Sequence, residues 1–331
     1  MNVIRAGRDD TGVRLDRWVR RRMALTSLSH IYRLIRTGGV RVNGKKRRQD
    51  YRLAENDVVE IESPAAELRS PCGGEDAPAD LADTVFFKRH FKLLFEDENL
   101  LVCDKPPNIV VHSGTGHEKH DSLIDLAAAY CAAAAARIGG ERAEPLLVHR
   151  LDRDTSGVLL IAKNRRTLRM LHGSLREGAI KKDYIALCHG CPVPADGVIE
   201  ACLVRDFDGR DGTKVRVEAG GQRAVSVYRV IDVRGEMSRV EIALQTGRTH
   251  QIRVHMAHIG CPVAGDVRYG DRRRDERLFG GANGRLRRLY LHAHRISFFY
   301  PAMKRVVDFV SPAPEQFDAL WRTLSPSAGI R

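Results

Sequence analysis

An α+β fold in two unequal domains is what the sequence predicts, and three observations predict it. The chain has 331 residues, more than one domain's usual share. A stretch rich in Pro, Gly and acidic residues, 64–83, divides a strongly basic front from a denser remainder. In that remainder strand-like and helix-like segments follow one another without regular βαβ alternation and without a Gly-rich nucleotide loop, which argues against a Rossmann arrangement.

The front domain is expected over residues 1–63. Leu15, Trp18 and Val19 recur at helical spacing. Ser29 can cap a second helix whose apolar stripe is Ile31, Leu34 and Ile35, with Arg33 and Arg36 off the stripe. Gly38-Gly39 stops that helix. Val40-Arg41-Val42 alternates as a short strand, Asn43-Gly44 is a strong hairpin-turn signal, and Val58, Val59 and Ile61 mark the closing strand.

Residues 64–83 hold three prolines, the pair Gly73-Gly74 and five acidic residues, a flexible-linker composition. The second domain is expected over 84–331. Its first strand is Leu100-Leu101-Val102-Cys103; Lys105-Pro106-Pro107-Asn108 breaks it and Ile109-Val110-Val111 resumes it. Asp121 to Arg137 is Ala-rich and helix-forming, and Thr167 to Leu175 reads as another helix. Segments near 183–188, 225–231 and 239–244 read as strands.

Composition narrows the function classes. Lys+Arg number 55 against 42 Asp+Glu, a net charge of +13. Residues 1–63 carry 15 of the basic residues and only 8 acidic ones. Such a balance points to a polyanion. No apolar run of membrane-spanning length occurs and the first residues lack an apolar signal region, so nucleic acid is favoured over membrane and a cytoplasmic location is expected. The 7 cysteines are scattered. Cys188 and Cys191 form a lone CxxC without a second pair, and His250, His255 and His258 lack metalloprotease spacing, so no metal site is expected.

The segment His149-Arg150-Leu151-Asp152-Arg153-Asp154-Thr155-Ser156-Gly157 carries the most information. It sets four carboxylate or guanidinium groups against the apolar run Val158-Leu159-Leu160-Ile161-Ala162, which reads as an interior strand. Charges entering such a strand are costly unless paired or used. The segment closely resembles the HRLDxxTSG motif of the RluA-type pseudouridine synthases. Lys181-Lys182-Asp183-Tyr184-Ile185-Ala186-Leu187 resembles that family's KxYxAxV strand. Gly247 to His255 matches its GRTHQIRVH stretch, Gly265 to Gly270 its GDxRYG continuation, and Leu291-His292-Ala293 its late LHA strand. With Lys105-Pro106-Pro107, the resemblance spans most of residues 90–310.

The resemblance implies a catalytic domain with a mixed, mainly antiparallel sheet and flanking helices. It implies isomerisation of uridine to pseudouridine in RNA, with Asp152 as the catalytic carboxylate, Arg253 as its ion-pair partner and Tyr184 against the uracil. The target must be swung out of its stack. Arg150 is the candidate to fill the gap, Arg248 borders the substrate, and His149 and Thr155 shape the substrate side of the loop. The reaction is redox-neutral, so no cofactor is implied. Two departures stand out: Pro107-Asn108 where the family usually has a small residue and Gly, and Cys188/Cys191 at positions usually without cysteine.

The front domain resembles an S4 domain over about fifty residues. That implies RNA binding through the second helix and the loop after it, with Arg33, Arg36, Arg41, Lys45, Lys46, Arg47 and Arg48 as phosphate-contact candidates. Together the two resemblances imply large-subunit (23S) ribosomal RNA or its precursor as the partner, with no obligate protein partner. Two alternatives stand beside this: a non-catalytic S4-type RNA-binding or ribosome-assembly factor, and a related synthase acting on tRNA.

Overall fold

The structure is a computed structural model. It describes residues 2–7, 10–22, 28–62, 92–112, 122–138, 143–208 and 212–325. Contacts divide the chain into two compact units, Met1–Ala77 and Pro78–Arg331. The expected linker, 64–83, lies outside the described residues.

In the first unit α1 (Leu15–Arg22) and α2 (Leu28–Thr37) accompany a sheet of β1 (Asn2–Arg5), β2 (Val40–Val42), β3 (Lys45–Lys46) and β4 (Val58–Ile61), ordered β1-β4-β2-β3. The expected stripes supply its core: Leu15, Trp18, Val19, Ile31 and Ile35 pack with Val40, Val42, Leu53, Val59 and Ile61. The turn from β2 to β3 has Asn43 and Gly44 at φ of 53° and 72°, as a type I′ hairpin requires. The Asn43 side chain fixes that turn by donating to Asp57 (2.8 Å) and accepting from the Val58 N–H (2.8 Å).

The second unit is built on an eleven-stranded sheet ordered β11-β10-β12-β13-β9-β14-β8-β6-β5, with β15 on β14 and β7 on β8. The strands are β5 (Lys92–Glu96), β6 (Leu100–Lys105), β7 (Leu146–Leu147), β8 (Ser156–Ala162), β9 (Lys181–His189), β10 (Asp196–Asp208), β11 (Gly212–Val217), β12 (Gln222–Arg234), β13 (Met237–Leu244), β14 (Leu291–Tyr300) and β15 (Arg305–Val310). Every pairing is antiparallel except β8 with β14. The helices are α3 (Leu123–Ile138), α4 (Arg165–Arg176), α5 (Gln251–His258), α6 (Arg272–Leu278) and α7 (Glu315–Thr323). The mainly antiparallel mixed sheet with flanking helices is what the family resemblance implied.

β8 is buried at every position. Its alternate residues serve two cores. Leu159 and Ile161 pack with Leu123 and Leu126 of α3 and Phe317, Leu320 and Trp321 of α7. Val158, Leu160 and Ala162 pack with Leu171 of α4 and Phe298 of β14. A strand covered on both faces must read as a continuous apolar run, as this one does.

One expected strand is absent. Ile109-Val110-Val111 lies in a loop. Asn108 takes a left-handed φ of 68°, and the carbonyls of Val110 and Val111 accept the N–H groups of Leu123 (2.8 Å) and Ile124 (3.2 Å). These backbone groups satisfy the start of α3 rather than a ladder. Asn is the residue best suited, after Gly, to that φ, which accounts for its standing where the family usually has Gly.

Two buried histidines join the elements that carry the site. His292 of β14 donates Nε2–H to the Ser311 carbonyl (2.9 Å), so its Nδ1 accepts from the Ser156 hydroxyl of β8 (2.9 Å). His255 of α5 meets Ser226 of β12 at 3.0 Å. Burial, the largest cause, pushes each imidazole down to about 4. Both are therefore neutral in the fold and bind protons less readily than in the unfolded chain. The unfolded state takes up the protons as pH falls below about 6.5. The stability they provide is complete above that pH and is lost toward pH 4, by ~2 kcal/mol for each at pH 5. The melting temperature should fall on acidification from pH 7 to pH 5, and His292→Gln should flatten that fall. Parallel curves for wild type and variant in calorimetry would refute the assignment.

Candidate active site

Asp152 sits in the loop between β7 and β8, and the loop is held from both ends. On one side the Thr155 N–H returns to the Asp152 carbonyl (3.2 Å), and Lys105 clamps the next residue. Lys105 is wholly buried at the end of β6. Its three ammonium donors reach the carbonyls of Arg153 (2.8 Å), Pro106 (2.9 Å) and Ile109 (2.9 Å). Burial pushes its pKa down to about 7, against the pull of Asp154 and Asp152. On the other side Ser156 receives Arg288 Nη2 (2.8 Å) and donates to His292. Gly157 then takes φ +118° where β8 runs beside β14; a Cβ there would overlap the Ala293 carbonyl.

Arg253 is presented by α5. Its Nη1 donates to Asp152 Oδ2 at 3.1 Å. Its Nε and Nη2 form a fork on Asp266, at 2.7 and 2.8 Å. Burial works against the charge of Arg253, but Asp266 and Asp152 more than offset it, so its pKa is raised. Burial would likewise raise Asp266; hydrogen bonds from Arg253 and from the N–H groups of Arg268 and Tyr269 hold it below the usual carboxylate range. The Arg253 guanidinium also lies over the Tyr269 ring, 5.1 Å from its centre. α5 itself is docked by Gln251. Its side chain accepts from Thr246 (2.8 Å) and the Arg248 N–H (3.0 Å), and donates to the Val225 carbonyl (3.0 Å) and Ser226 (2.9 Å).

Asp152 opens on a cavity of about 680 Å³ that Tyr184, Arg253, His149, Arg150, Thr155 and Arg248 also line. Its second oxygen, Oδ1, has no hydrogen-bond partner among the described residues. Tyr184 of β9 is 7% exposed and its hydroxyl makes no hydrogen bond among the described residues. Burial, with the Asp152 charge, raises its pKa, so it is a neutral phenol at pH 7. His149 accepts the Leu160 N–H at Nε2 (3.2 Å), and burial pushes it down to about 3, so it is neutral. The buried Thr155 hydroxyl has no hydrogen-bond partner among the described residues. Arg150 is exposed at the rim. Arg248, also exposed, donates Nε–H to the Arg223 carbonyl (3.2 Å). His250 stands 3.9 Å from Asp152 through Nε2 and 2.7 Å from the Tyr269 hydroxyl through Nδ1. Burial lowers its pKa despite Asp152.

Comparison with known proteins places this arrangement. A model described as RNA pseudouridylate synthase matches residues 99–258, and an S4 domain model matches residues 13–59. The ribosomal large subunit pseudouridine synthase C of Vibrio vulnificus (strain CMCP6) is 36% identical over 99% of this chain and 98% of its own length. The protein of the same name from Escherichia coli (strain K12) is 35% identical over 95% of this chain and 94% of its own. The chain belongs to the RNA pseudouridylate synthase family. It is a pseudouridine synthase with an S4 domain at its front. Among solved structures, human RNA pseudouridylate synthase domain containing 4 is 26% identical with a TM-score of 0.58, over 75% of this chain and 97% of that one. Human RNA pseudouridylate synthase domain containing 1 shares the fold, at 24% identity and a TM-score of 0.54.

The residues expected at the synthase site therefore lie on one cavity. Of the expected phosphate contacts in the first unit, Arg36, Arg41, Lys45, Lys46 and Arg48 are exposed. Arg47 is half-buried over the Tyr51 ring, 4.9 Å from its centre. The Arg33 side chain lies outside the described residues. Among the described residues no group of three or more His, Cys, Asp or Glu side chains is arranged to hold a metal ion; Cys188 and Cys191 are free thiols. No helix among them is long and apolar enough to cross a membrane.

Sequence reasoning missed Asp266, Tyr269 and the work of Lys105. Asp266 lay in the quoted GDxRYG stretch, but nothing local marks its carboxylate as the buried counter-ion of Arg253. Asp266→Asn keeps the shape and removes that charge. Breaking one side of a buried ion pair costs about 3–5 kcal/mol. The variant should lose stability on that order in urea titrations. At temperatures where it stays folded, it should lose pseudouridine formation by about 10²-fold, because Arg253 is free to swing. A variant with wild-type turnover would remove Asp266 from the support of the site.

Proposed function

We propose that this protein converts specific uridines of large-subunit (23S) ribosomal RNA to pseudouridine in the cytoplasm, with Asp152 as the essential carboxylate. The observation that carries the chemistry is the Asp152 side chain. One oxygen is held by Arg253, and the other has no partner among the described residues, at a cavity shared with Tyr184. The RNA class is supported by relatives about 35% identical over nearly their whole length and named for the large ribosomal subunit.

In this reading the C1′–N1 bond breaks, the uracil turns, C1′ joins C5, and the C5 hydrogen is finally replaced by one on N1. No redox change occurs. Asp152 acts either as the nucleophile at C1′ or as the base that takes a sugar proton to give a glycal. Tyr184 covers the uracil. As a neutral phenol it serves as a hydrogen-bond donor and is poorly suited to begin as a base for the C5 proton. Arg150 at the rim fills the gap left by the flipped nucleotide, and Arg248 and Thr155 border it. The exposed basic residues of the first unit supply affinity through phosphate contacts.

Mapping pseudouridine in total RNA of the source cells, with and without this protein, tests the reading. Loss of modification in large-subunit RNA supports it; loss confined to tRNA would move the substrate class; no loss anywhere would sink it. Asp152→Asn should abolish conversion by many orders of magnitude while RNA binding stays near the wild-type value. Retention of more than about a tenth of the activity, a change of only ~1.4 kcal/mol in the barrier, would contradict the assignment.

The salt dependence of binding tests the first unit. Lys45→Gln with Lys46→Gln should flatten the log–log salt slope by roughly 1.4–1.8, since each lost phosphate contact contributes about 0.7–0.9. An unchanged slope would mean that this strand does not meet RNA.

A further inference from the structure

Lys182 is the feature of the cavity that the proposed chemistry leaves unused. It precedes Tyr184 by two residues on β9, so both side chains leave the same face of the strand, and both line the cavity with Asp152. Its neighbour Asp183 leaves the other face, where Arg295 is the charge that acts on it most strongly. The ammonium lies beside the loop before α5: a methyl placed on Gly247 would come within 3.2 Å of Nζ. Lys182 is half-buried and makes no hydrogen bond or ion pair among the described residues. Among the described residues Asp152 is the one carboxylate in the cavity lining, and Arg253 occupies it.

A half-buried ammonium with neither water's full solvation nor a counter-ion is costly. Burial accordingly lowers its pKa. Two other sheltered cations of the unit have carboxylate partners, Lys163 with Glu96 (2.9 Å) and Arg253 with two, and the buried Lys105 spends its donors on three carbonyls. An unmatched one in the substrate cavity is matched by substrate. RNA carries neutral bases and sugars, and its phosphodiesters are its anions. A compact ammonium binds such an oxygen as a point charge.

We propose that Lys182 is a phosphate subsite, holding a non-bridging oxygen of a phosphodiester next to the flipped uridine. This deepens the proposed function and rests on it. Lys182 holds the sugar–phosphate while Arg253 holds Asp152, so that C1′ is presented to the carboxylate when the uridine is part of a strand. The subsite selects a strand over a free nucleoside.

The test uses the full chain and a synthetic fragment of the RNA that mapping identifies, with single uncharged methylphosphonate linkages placed in turn around the target uridine. Binding and single-turnover rates are measured for wild type, Lys182→Gln, Lys182→Met, which keeps the apolar stem, and Lys182→Arg. Lys182→Gln and Lys182→Met should weaken binding about 10- to 100-fold, with a smaller change in rate at saturating RNA, and Lys182→Arg should restore most of the affinity. One linkage should weaken wild type by the same factor and add nothing in Lys182→Gln. Multiplying effects at every linkage, or binding by Lys182→Gln equal to wild type, would overturn the proposal. If the variants fail to fold, the wild-type walk still decides: no single linkage weakening binding more than about threefold overturns it. Turnover of the unmodified fragment by wild type reports separately on the proposed function, so failure of that reading is not confused with failure of the subsite.

Discussion

Arg253 stands between two carboxylates that do different work. The fork on Asp266 uses two of its donors and fixes the plane of the guanidinium. That leaves Nη1 to meet Asp152 from one direction. A guanidinium held only by Asp152 would follow it, and the two side chains would share several geometries. Held by Asp266, it becomes a fixed point against which Asp152 is oriented, and one carboxylate oxygen is left open to the cavity. The low-dielectric surroundings that make the pair costly also make it stiff. Asp266 is fixed in turn by two backbone N–H groups of its own turn, from Arg268 (2.9 Å) and Tyr269 (3.1 Å).

The rest of the unit can be understood as support for the two sides of that contact. α5 delivers Arg253, and Gln251 and His255 dock α5 on β12 through Ser226. The Asp152 loop is delivered by β8, whose parallel junction with β14 is closed by Gly157 and by the Arg288–Ser156–His292–Ser311 chain. That chain has one consistent set of donors and acceptors when His292 is neutral. Lys105 then holds the outer edge of the loop through main-chain carbonyls, a role that depends on charge and reach and on no side-chain partner.

Much of the fold was legible because burial leaves a local trace. The stripes Leu15/Trp18/Val19 and Ile31/Leu34/Ile35 are one-sided, as helices on a small sheet must be. The run 158–162 is apolar throughout because β8 is covered on both faces. Asn43-Gly44 carries its turn in its own backbone preferences. The strand expected at 109–111 failed for a reason no apolar count contains: its carbonyls were needed to start α3. At the site, Asp152, Tyr184 and Arg253 were named by resemblance to a family, and the structure brings them to one cavity.

What the sequence determined alone is therefore the list of elements with strong periodicity, the basic character of the first unit, and the motifs that carry the candidate site residues. What only the tertiary structure decided is partnership. Asp152 and Arg253 are 101 positions apart, and no local pattern says that Asp266 rather than another acid completes the fork. Nor does any local pattern say that Lys182 meets no carboxylate among the described residues. Helical and strand periodicity reflect the exposure of each residue's own side, which neighbouring residues encode. Ion pairs and unpartnered charges reflect which distant segments are brought within a few ångströms, and that is settled when the loops, β9 and α5 assemble around the cavity.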